Sequence, residues 1–369
     1  MLRDVMICTV GISLKRGVKD GLEFGSSEMI QWMLSLSPED RELGAEINSI
    51  ASILKLNKFD FERNKLIFMV SDTEMGEKVG GILKEYFQKQ KDLKFNDIEV
   101  VRIEGLDDQK PIEFKRKGLR NLVRELGKKI KEYGNRLIIN ATGGFKAQIA
   151  FALAIGQAVG VPVFYMFERF PQIIELPPLP LSLDSKFLLE NYDMFKELKI
   201  NGELEKEEFE DIFNKSYSNL PEKLKLLLDI ETIDGKKYIS LNPMGEVFTE
   251  ALYIEFMERE KYMNLPDSNI PPNKKLHSKK SDHSVAFIEK YRSIIDKICE
   301  PSFVKAVYVK SYSQKYHRKR VAFRLFGDKI EGSFSNKGGS ITFEVLTTAS
   351  NDREREFAVY KLNKIFEDF

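Results

Sequence analysis

Residues Asn140 to Lys146 read Asn-Ala-Thr-Gly-Gly-Phe-Lys. An apolar run, Leu137–Ile139, precedes them, and an apolar helical pattern, Phe145–Val159, follows. This is the pattern of a strand, a glycine turn and a helix. Such a turn presents backbone N–H groups at a helix N-terminus, where anions bind. Lys146 adds a positive charge in the first turn, and Asn140 and Thr142 add side-chain hydrogen-bonding groups. The chemistry that results is recognition of a phosphate-bearing ligand. The spacing excludes two phosphate sites. A P-loop needs four residues between its first glycine and the Gly-Lys pair, and this turn lacks them. The dinucleotide fingerprint needs Gly-x-Gly-x-x-Gly, which Gly143-Gly144-Phe145 does not supply. The plainer alternative is a βα turn capped by a threonine.

A second set of reactive residues lies near the C-terminus. Lys315, Arg318, Lys319, Arg320 and Arg324 alternate with Tyr316, His317 and Phe323, and no acidic residue lies between Phe303 and Gly327. Basic side chains interleaved with aromatics suit single-stranded nucleic acid, because cations track phosphates and rings stack on bases. Metal-free RNA cleavage needs a base for the ribose 2′-OH, cations for the phosphate and an acid for the leaving oxygen. His317, Tyr316, Lys319, Arg320 and Arg324 have the chemistry for these roles, and Arg353 follows the last strand. The alternative is a solvated basic face, and a lone histidine beside a basic run is more often inert. Two other nuclease chemistries lack their motifs. None of His277, His283 and His317 has an arginine four to six residues before it, and the last ninety residues contain no Glu-x-Lys.

The elements that must position these residues follow from periodicity. Strand-like runs are Val5–Val10, Leu66–Val70, Ile98–Ile103, Leu137–Ile139 and Val163–Phe167, with helical patterns such as Glu74–Lys89 and Leu119–Tyr133 between them. Alternation of this kind predicts a mostly parallel sheet with helices on both faces, binding ligands at its carboxyl edge. Three loops are expected to meet there: one with Thr9, Gly11 and Ser13, one with Ser71, Asp72 and Thr73, and the Asn140–Lys146 turn. Prolines 177, 178 and 180 mark the exit from this sheet, so a first domain is expected over 1–184.

From 185 to 263 the pattern changes. Helices are expected over Phe187–Leu198, Glu205–Phe213, Asn219–Leu228 and Gly245–Glu260, with a hairpin at Asp234-Gly235. This predicts a winged helix-turn-helix domain. The candidate recognition helix Asn219–Leu228 is not strongly basic, which favours a spacer over a DNA reader. A polar, proline-containing linker is expected over 264–281. An α+β domain is expected over 282–369: a helix Val285–Cys299, four antiparallel strands and a final helix Glu354–Phe366.

The totals narrow the class. The chain has 369 residues, 42% hydrophobic and 31% charged, with a net charge of only +1, so local charge matters more than the sum. Two cysteines, Cys8 and Cys299, argue against a disulfide framework or a structural zinc site. No signal-peptide pattern opens the chain, and no apolar run approaches a membrane span. A soluble cytoplasmic protein is expected.

The first 180 residues resemble the CRISPR-associated Rossmann fold (CARF) sensor domains of type III CRISPR auxiliary proteins. The motifs are Thr9–Ser13 (TVGIS), Gly44–Ile47 (GAEI), Ser71–Thr73 (SDT), Asn140–Lys146 (NATGGFK) and Glu175–Pro180 (ELPPLP). The resemblance implies a homodimer that binds a cyclic oligoadenylate, usually cyclic tetra-adenylate, as activator rather than cofactor. It implies that Ser13, Thr142, Gly143, Gly144 and Lys146 contact the ring, with Asn140 supporting the turn. It also raises slow cleavage of the ring, with Ser13 and Lys146 at the phosphate.

The C-terminal domain resembles the RelE family of messenger-RNA interferases in layout and basic character. That resemblance implies a metal-independent, ribosome-dependent endoribonuclease acting on mRNA, with candidates Arg324, Arg353, Lys319, Arg320, His317 and Tyr360. The competing reading is a ligand-responsive transcription regulator that uses the winged helix and cuts no RNA.

Overall fold

The computed structural model describes residues 3–56, 63–167, 172–180, 182–278, 282–314 and 319–367. The chain divides into two compact units, Met1–Leu183 with Asn242–Ile254, and Asp184–Leu241 with Glu255–Phe369.

In the first unit, β1 (Val5–Thr9) leads through α1 (Ser13–Gly17), α2 (Ser27–Ser35) and α3 (Gly44–Lys55) to β2 (Lys65–Val70). Next come α4 (Glu74–Lys89), β3 (Asp97–Arg102), α5 (Pro111–Glu113), a π-helical turn (Phe114–Gly118) and α6 (Leu119–Tyr133). The unit continues with β4 (Leu137–Asn140), α7 (Lys146–Val159), β5 (Val163–Met166) and β6 (Ile173–Leu176). The sheet order is β3-β2-β1-β4-β5-β6, parallel except for the β5–β6 pair. Strands β1, β2 and β4 read as nearly unbroken apolar runs because both faces are covered. Met6, Cys8, Leu66 and Phe68 pack into one core with residues of α2, α3 and α4. Val5, Ile7, Ile67 and Met69 pack into the other with α6 and α7. β1 pairs with β2 on one side and β4 on the other, so the strand order reverses between β1 and β4. A crevice opens at such a point.

The second unit opens with α8 (Ser185–Glu190), α9 (Tyr192–Asn201), β7 (Glu203–Glu205), α10 (Lys206–Phe213) and α11 (Glu222–Lys225). Strands β8 (Leu228–Ile233) and β9 (Lys236–Leu241) follow, and then α12 (Pro243–Glu260). The sheet order here is β7-β9-β8. The Asp234-Gly235 turn has positive φ at both residues, 49° and 79°, as a tight hairpin requires.

Three expectations for this stretch are corrected. The helix expected over Phe187–Leu198 breaks at Asn191, whose φ of −120° is not helical and whose amide donates to Phe187 O at 2.9 Å. The helix expected over Asn219–Leu228 spans only four residues, because Pro221 sits at its start and β8 begins at Leu228. The last helix does not belong wholly to this domain. Residues 242–254 group with the first unit, where the buried Glu246 carboxylate takes Arg124 Nη2 at 2.5 Å and Lys131 Nζ lies 3.1 Å from Glu250.

The unit ends with β10 (Leu276–His277), α13 (Asp282–Lys290), α14 (Arg292–Cys299), β11 (Val304–Ser313), β12 (Arg320–Phe326), β13 (Lys329–Asn336), β14 (Gly339–Thr347) and α15 (Asp352–Lys364). The sheet order is β10-β11-β14-β13-β12, so five strands replace the four expected. The fifth comes from the stretch read as a linker. Leu276 and His277 pair in parallel with Val307 and Tyr308. Lys275 is buried with its ammonium 2.7 Å from Pro301 O, and Thr348 Oγ1 donates to Pro266 O at 2.8 Å. The helix expected over Val285–Cys299 divides at Tyr291, which has φ −116°. At the other edge of the sheet, Asn363 of α15 answers the backbone of β12. Its amide donates to Phe323 O at 2.8 Å, and its oxygen accepts from Phe323 N at 2.9 Å.

Candidate functional sites

Two of the three expected loops meet at the crevice between β1 and β4. Gly11 lies so close to the Asn140–Lys146 turn that a Cβ there would stand 2.7 Å from Gly144 N. Thr9 is buried, and its hydroxyl donates to Gly143 O at 2.6 Å. The residue that fastens these loops is Glu46, at the start of α3. Its side chain is buried; one oxygen accepts from Gly11 N and the other from Ser13 Oγ, both at 2.7 Å. Ser13 Oγ in turn accepts from Ala45 N at 3.1 Å. Gly143 packs against the same carboxylate, since a Cβ there would lie 2.1 Å from Glu46 Oε1. The motif Gly44–Ile47 held this residue, but an acid inside an apolar helix start gave no sign of its partners.

The turn carries its own network. Thr142 Oγ1 donates to Asn140 Oδ1 at 2.6 Å and accepts from Met166 N at 3.0 Å. Asn140 is buried, and its amide donates to Ser49 Oγ at 2.8 Å. Gly144 has φ +98°, a conformation that glycine adopts freely. Gln148 reaches back to accept from Phe145 N at 2.6 Å, while its buried Nε2 has no hydrogen-bond partner among the described residues. Lys146 is exposed on the first turn of α7 and has no ion pair or hydrogen bond among the described residues. The N–H of Gly144 is likewise without a partner among them. A cavity of about 460 Å³ opens beside this network, lined by Ser13, Arg16, Arg41, Asn48, Thr142 and Phe167 among others.

The Ser71–Thr73 loop does not line that cavity, contrary to expectation. Its side chains are used locally. Thr73 caps α4 by accepting from Gly76 N at 2.9 Å, and Ser71 Oγ lies 2.9 Å from Thr73 Oγ1. Asp72 accepts from Gly105 N at 2.7 Å and pairs with Arg102; the Gly105 N–H is the larger cause that holds its carboxyl below the usual range.

In the C-terminal unit the described candidates Arg324, Arg320 and Tyr360 engage different partners. Arg324 of β12 pairs with Glu331 at 3.1 Å and stands 4.0 Å from Asp193. The Arg320 guanidinium lies 5.4 Å from the ring centre of Phe213. Arg353 and Lys319 are exposed. His317 lies outside the described residues, with Lys315, Tyr316 and Arg318. Tyr360 is corrected from candidate catalyst to core residue. It is 4% exposed, stacks on Phe256 at 5.2 Å and donates to Glu260 at 3.3 Å, and burial raises its pKa.

The stretch free of acids in sequence is not so in space. Cross-strand pairing places Glu344 opposite Tyr308 and Glu331 opposite Arg324. Lys310 Nζ is 2.5 Å from Glu344, and Lys329 Nζ is 3.4 Å from it. These two ammonium groups, Lys310 first, hold the Glu344 carboxyl below its usual range. Among the described residues no three His, Cys, Asp or Glu side chains are grouped to hold a metal ion. Cys8 and Cys299 are both buried, and burial pushes both thiols up, Cys299 to about 11. No helix among the described residues is long and apolar enough to cross a membrane.

No curated protein matches the chain. Among solved structures, Can2 from Sulfobacillus thermosulfidooxidans, in complex with cyclic tetra-adenylate, is similar at 10% identity and a TM-score of 0.27, covering 94% of this chain and 75% of its own. Protein VC1899 from Vibrio cholerae is similar at 9% identity and a TM-score of 0.29, covering 94% and 77%. TM-scores this low carry no argument about function. Residues 41–179 match the model of a family described as CRISPR-associated protein (Cas_APE2256), a stretch that runs from α3 to β6 and includes the Asn140–Lys146 turn.

Proposed function

We propose that the first unit is a receptor for a cyclic oligoadenylate, bound by a homodimer, in a CRISPR-associated defence system. The carrying observation is the Asn140–Lys146 turn. It sits where the strand order reverses, inside the stretch that matches a CRISPR-associated family, with the Gly144 N–H and the Lys146 ammonium uncommitted among the described residues. Both suit a phosphodiester. Cyclic tetra-adenylate is the proposed ring, since internal two-fold symmetry fits one patch from each protomer. Binding is favoured over ring cleavage, because the Ser13 and Thr142 hydroxyl protons are already donated to Glu46 and Asn140. Calorimetry with rings of three, four and six adenosines tests this reading. No binding by any of them ends it.

The second unit is proposed to be the effector, a ribosome-dependent, metal-independent mRNA endoribonuclease active only when the receptor is loaded. Support comes from a sheet whose outer face carries Lys310, Arg324 and Lys329 beside the exposed Tyr308. The regulator reading has one observation in its favour. The order of helix, short strand, two helices and hairpin in 192–241 suits a winged helix. Against it, α11 spans only four residues, little more than one turn for a recognition helix. Translating ribosomes with and without cyclic tetra-adenylate decide between the two. Cleavage that leaves 2′,3′-cyclic or 3′-phosphate ends in the presence of EDTA supports the nuclease. Duplex binding without RNA cleavage supports the regulator.

A further inference from the structure

The C-terminal sheet carries one row of ionisable side chains across all five strands. His277 pairs with Tyr308, Tyr308 with Glu344, Glu344 with Glu331, and Glu331 with Arg324. Directly paired residues point to the same face of a sheet. The His277 and Tyr308 rings are stacked, with centroids 4.8 Å apart and planes at 18°.

Two features set this row apart from a solvated charged face. The first is the opposition of Glu331 and Glu344. Like charges at directly paired positions are destabilising. Three cations offset the opposition: Arg324 on Glu331, and Lys310 and Lys329 on Glu344. Local rules broken and then compensated are expected at functional sites. The second is how His277 is held. It belongs to a two-residue strand at the sheet edge, with Leu276 paired to Val307. The preceding Lys275 is 1% exposed, its ammonium bonded to Pro301 O and its carbonyl accepting from Val307 N at 2.8 Å. Burying an ammonium is unfavourable unless it is hydrogen-bonded or paired, and here the Pro301 carbonyl takes it. Here it fixes the backbone just before His277.

We propose that His277 is the general base of the C-terminal domain, with Tyr308 fixing its ring and Lys310 beside the reacting phosphate. The proposal rests on the nuclease reading above and names its base. Neutral His277 takes the proton of a ribose 2′-hydroxyl. The oxygen's electron pair forms the 2′-O–P bond, and the P–O5′ bond breaks with its pair on the 5′-oxygen. That oxygen takes a proton from water, leaving a 2′,3′-cyclic phosphate and a 5′-hydroxyl, and the imidazolium returns its proton to solvent. Four strand spacings separate His277 from Arg324, about 19 Å. Arg324 therefore holds a flanking phosphate and not the one that reacts.

The test uses the full chain, loaded with cyclic tetra-adenylate, on translating ribosomes. Wild type, His277→Gln and Arg324→Ala are compared for kcat, KM and pH dependence. His277→Gln is expected to lower kcat by about 100-fold or more with KM little changed, and to abolish the acid limb of the rate profile. Arg324→Ala is expected to raise KM more than it lowers kcat. Thermal melts of both variants verify the fold. Cleavage by folded His277→Gln within threefold of wild type, with the acid limb intact, overturns the assignment and leaves the nuclease reading standing. No cleavage by loaded wild type overturns both.

Discussion

Glu46 is the test of how the ligand loops are held. Its two oxygens accept from Gly11 N and Ser13 Oγ, each at 2.7 Å. Hydrogen bonds to a charged group contribute about 1.5–3 kcal/mol each. Glu46→Ala removes both and leaves the Gly11 N–H without its acceptor, so a loss of about 3–5 kcal/mol is expected. In a unit of this size each kcal/mol lowers the melting temperature by about 2–4 °C, which places the shift at roughly 10 °C. Glu46→Gln keeps the volume and one acceptor, and should lose about 1–2 kcal/mol. Gly143 supplies the internal check. A Cβ at that position would meet Glu46 Oε1 at 2.1 Å and Thr9 O at 2.7 Å. Gly143→Ala should therefore be less harmful in the Glu46→Ala background, though not harmless, since the Thr9 carbonyl remains. Thermal and urea melts of the four proteins complete a double-mutant cycle. If Glu46→Ala melts within about 2 °C of wild type, or if Gly143→Ala is equally costly in both backgrounds, the reasoning fails.

Lys146→Ala should weaken cyclic tetra-adenylate binding about tenfold and reduce its salt dependence, with melting unchanged, because the ammonium has no partner to lose among the described residues; calorimetry at two salt concentrations reads both. Asp4 is buried, and the hydrogen bond from Arg136 is the main cause that holds its carboxyl below the usual range. Its contribution is thus present above the ordinary carboxylate pKa of about 3.9 and lost as pH falls through its own lower value. Asp4→Asn should be less stable near neutrality and should converge on wild type in acid; urea midpoints from pH 3 to 7 that run parallel would contradict this. Tyr360→Phe should lose at most about 1.5 kcal/mol, the value of one hydrogen bond, and should keep full cleavage. Abolished cleavage with an intact fold would restore Tyr360 as a catalyst.

The sheet of the first unit was legible because its strands are buried on both faces and so read as apolar runs between helical periods. The Asp234-Gly235 hairpin was legible because its backbone needs two positive φ values. What stayed hidden depends on contacts across the chain. Glu46 lies 35 residues from Gly11, and no local rule foretells that bond. The Ser71–Thr73 loop was misread because a helix cap and a ligand contact ask for the same residue types. His277 was passed over because a two-residue strand has no periodicity to detect, and prolines 271 and 272 gave its surroundings the look of a linker. The acid-free run from Phe303 to Gly327 suggested an unopposed basic face. Pairing with β13 and β14 brings Glu331 and Glu344 against it, and pairing partners are invisible to a window that moves along one strand.

The edge of β12 has a consequence for assembly. The exposed edge of a sheet is an open valence, and any chain with spare hydrogen-bonding groups can extend it. Here Asn363 satisfies both backbone groups of Phe323, and Lys196 Nζ bonds Val321 O at 3.1 Å. At Phe323 and at the Val321 carbonyl the valence is filled by side chains of the same unit. A strand added on this side would first have to displace the Asn363 amide from Phe323. Asn363→Ala removes that cover and would reopen the edge at Phe323 to pairing.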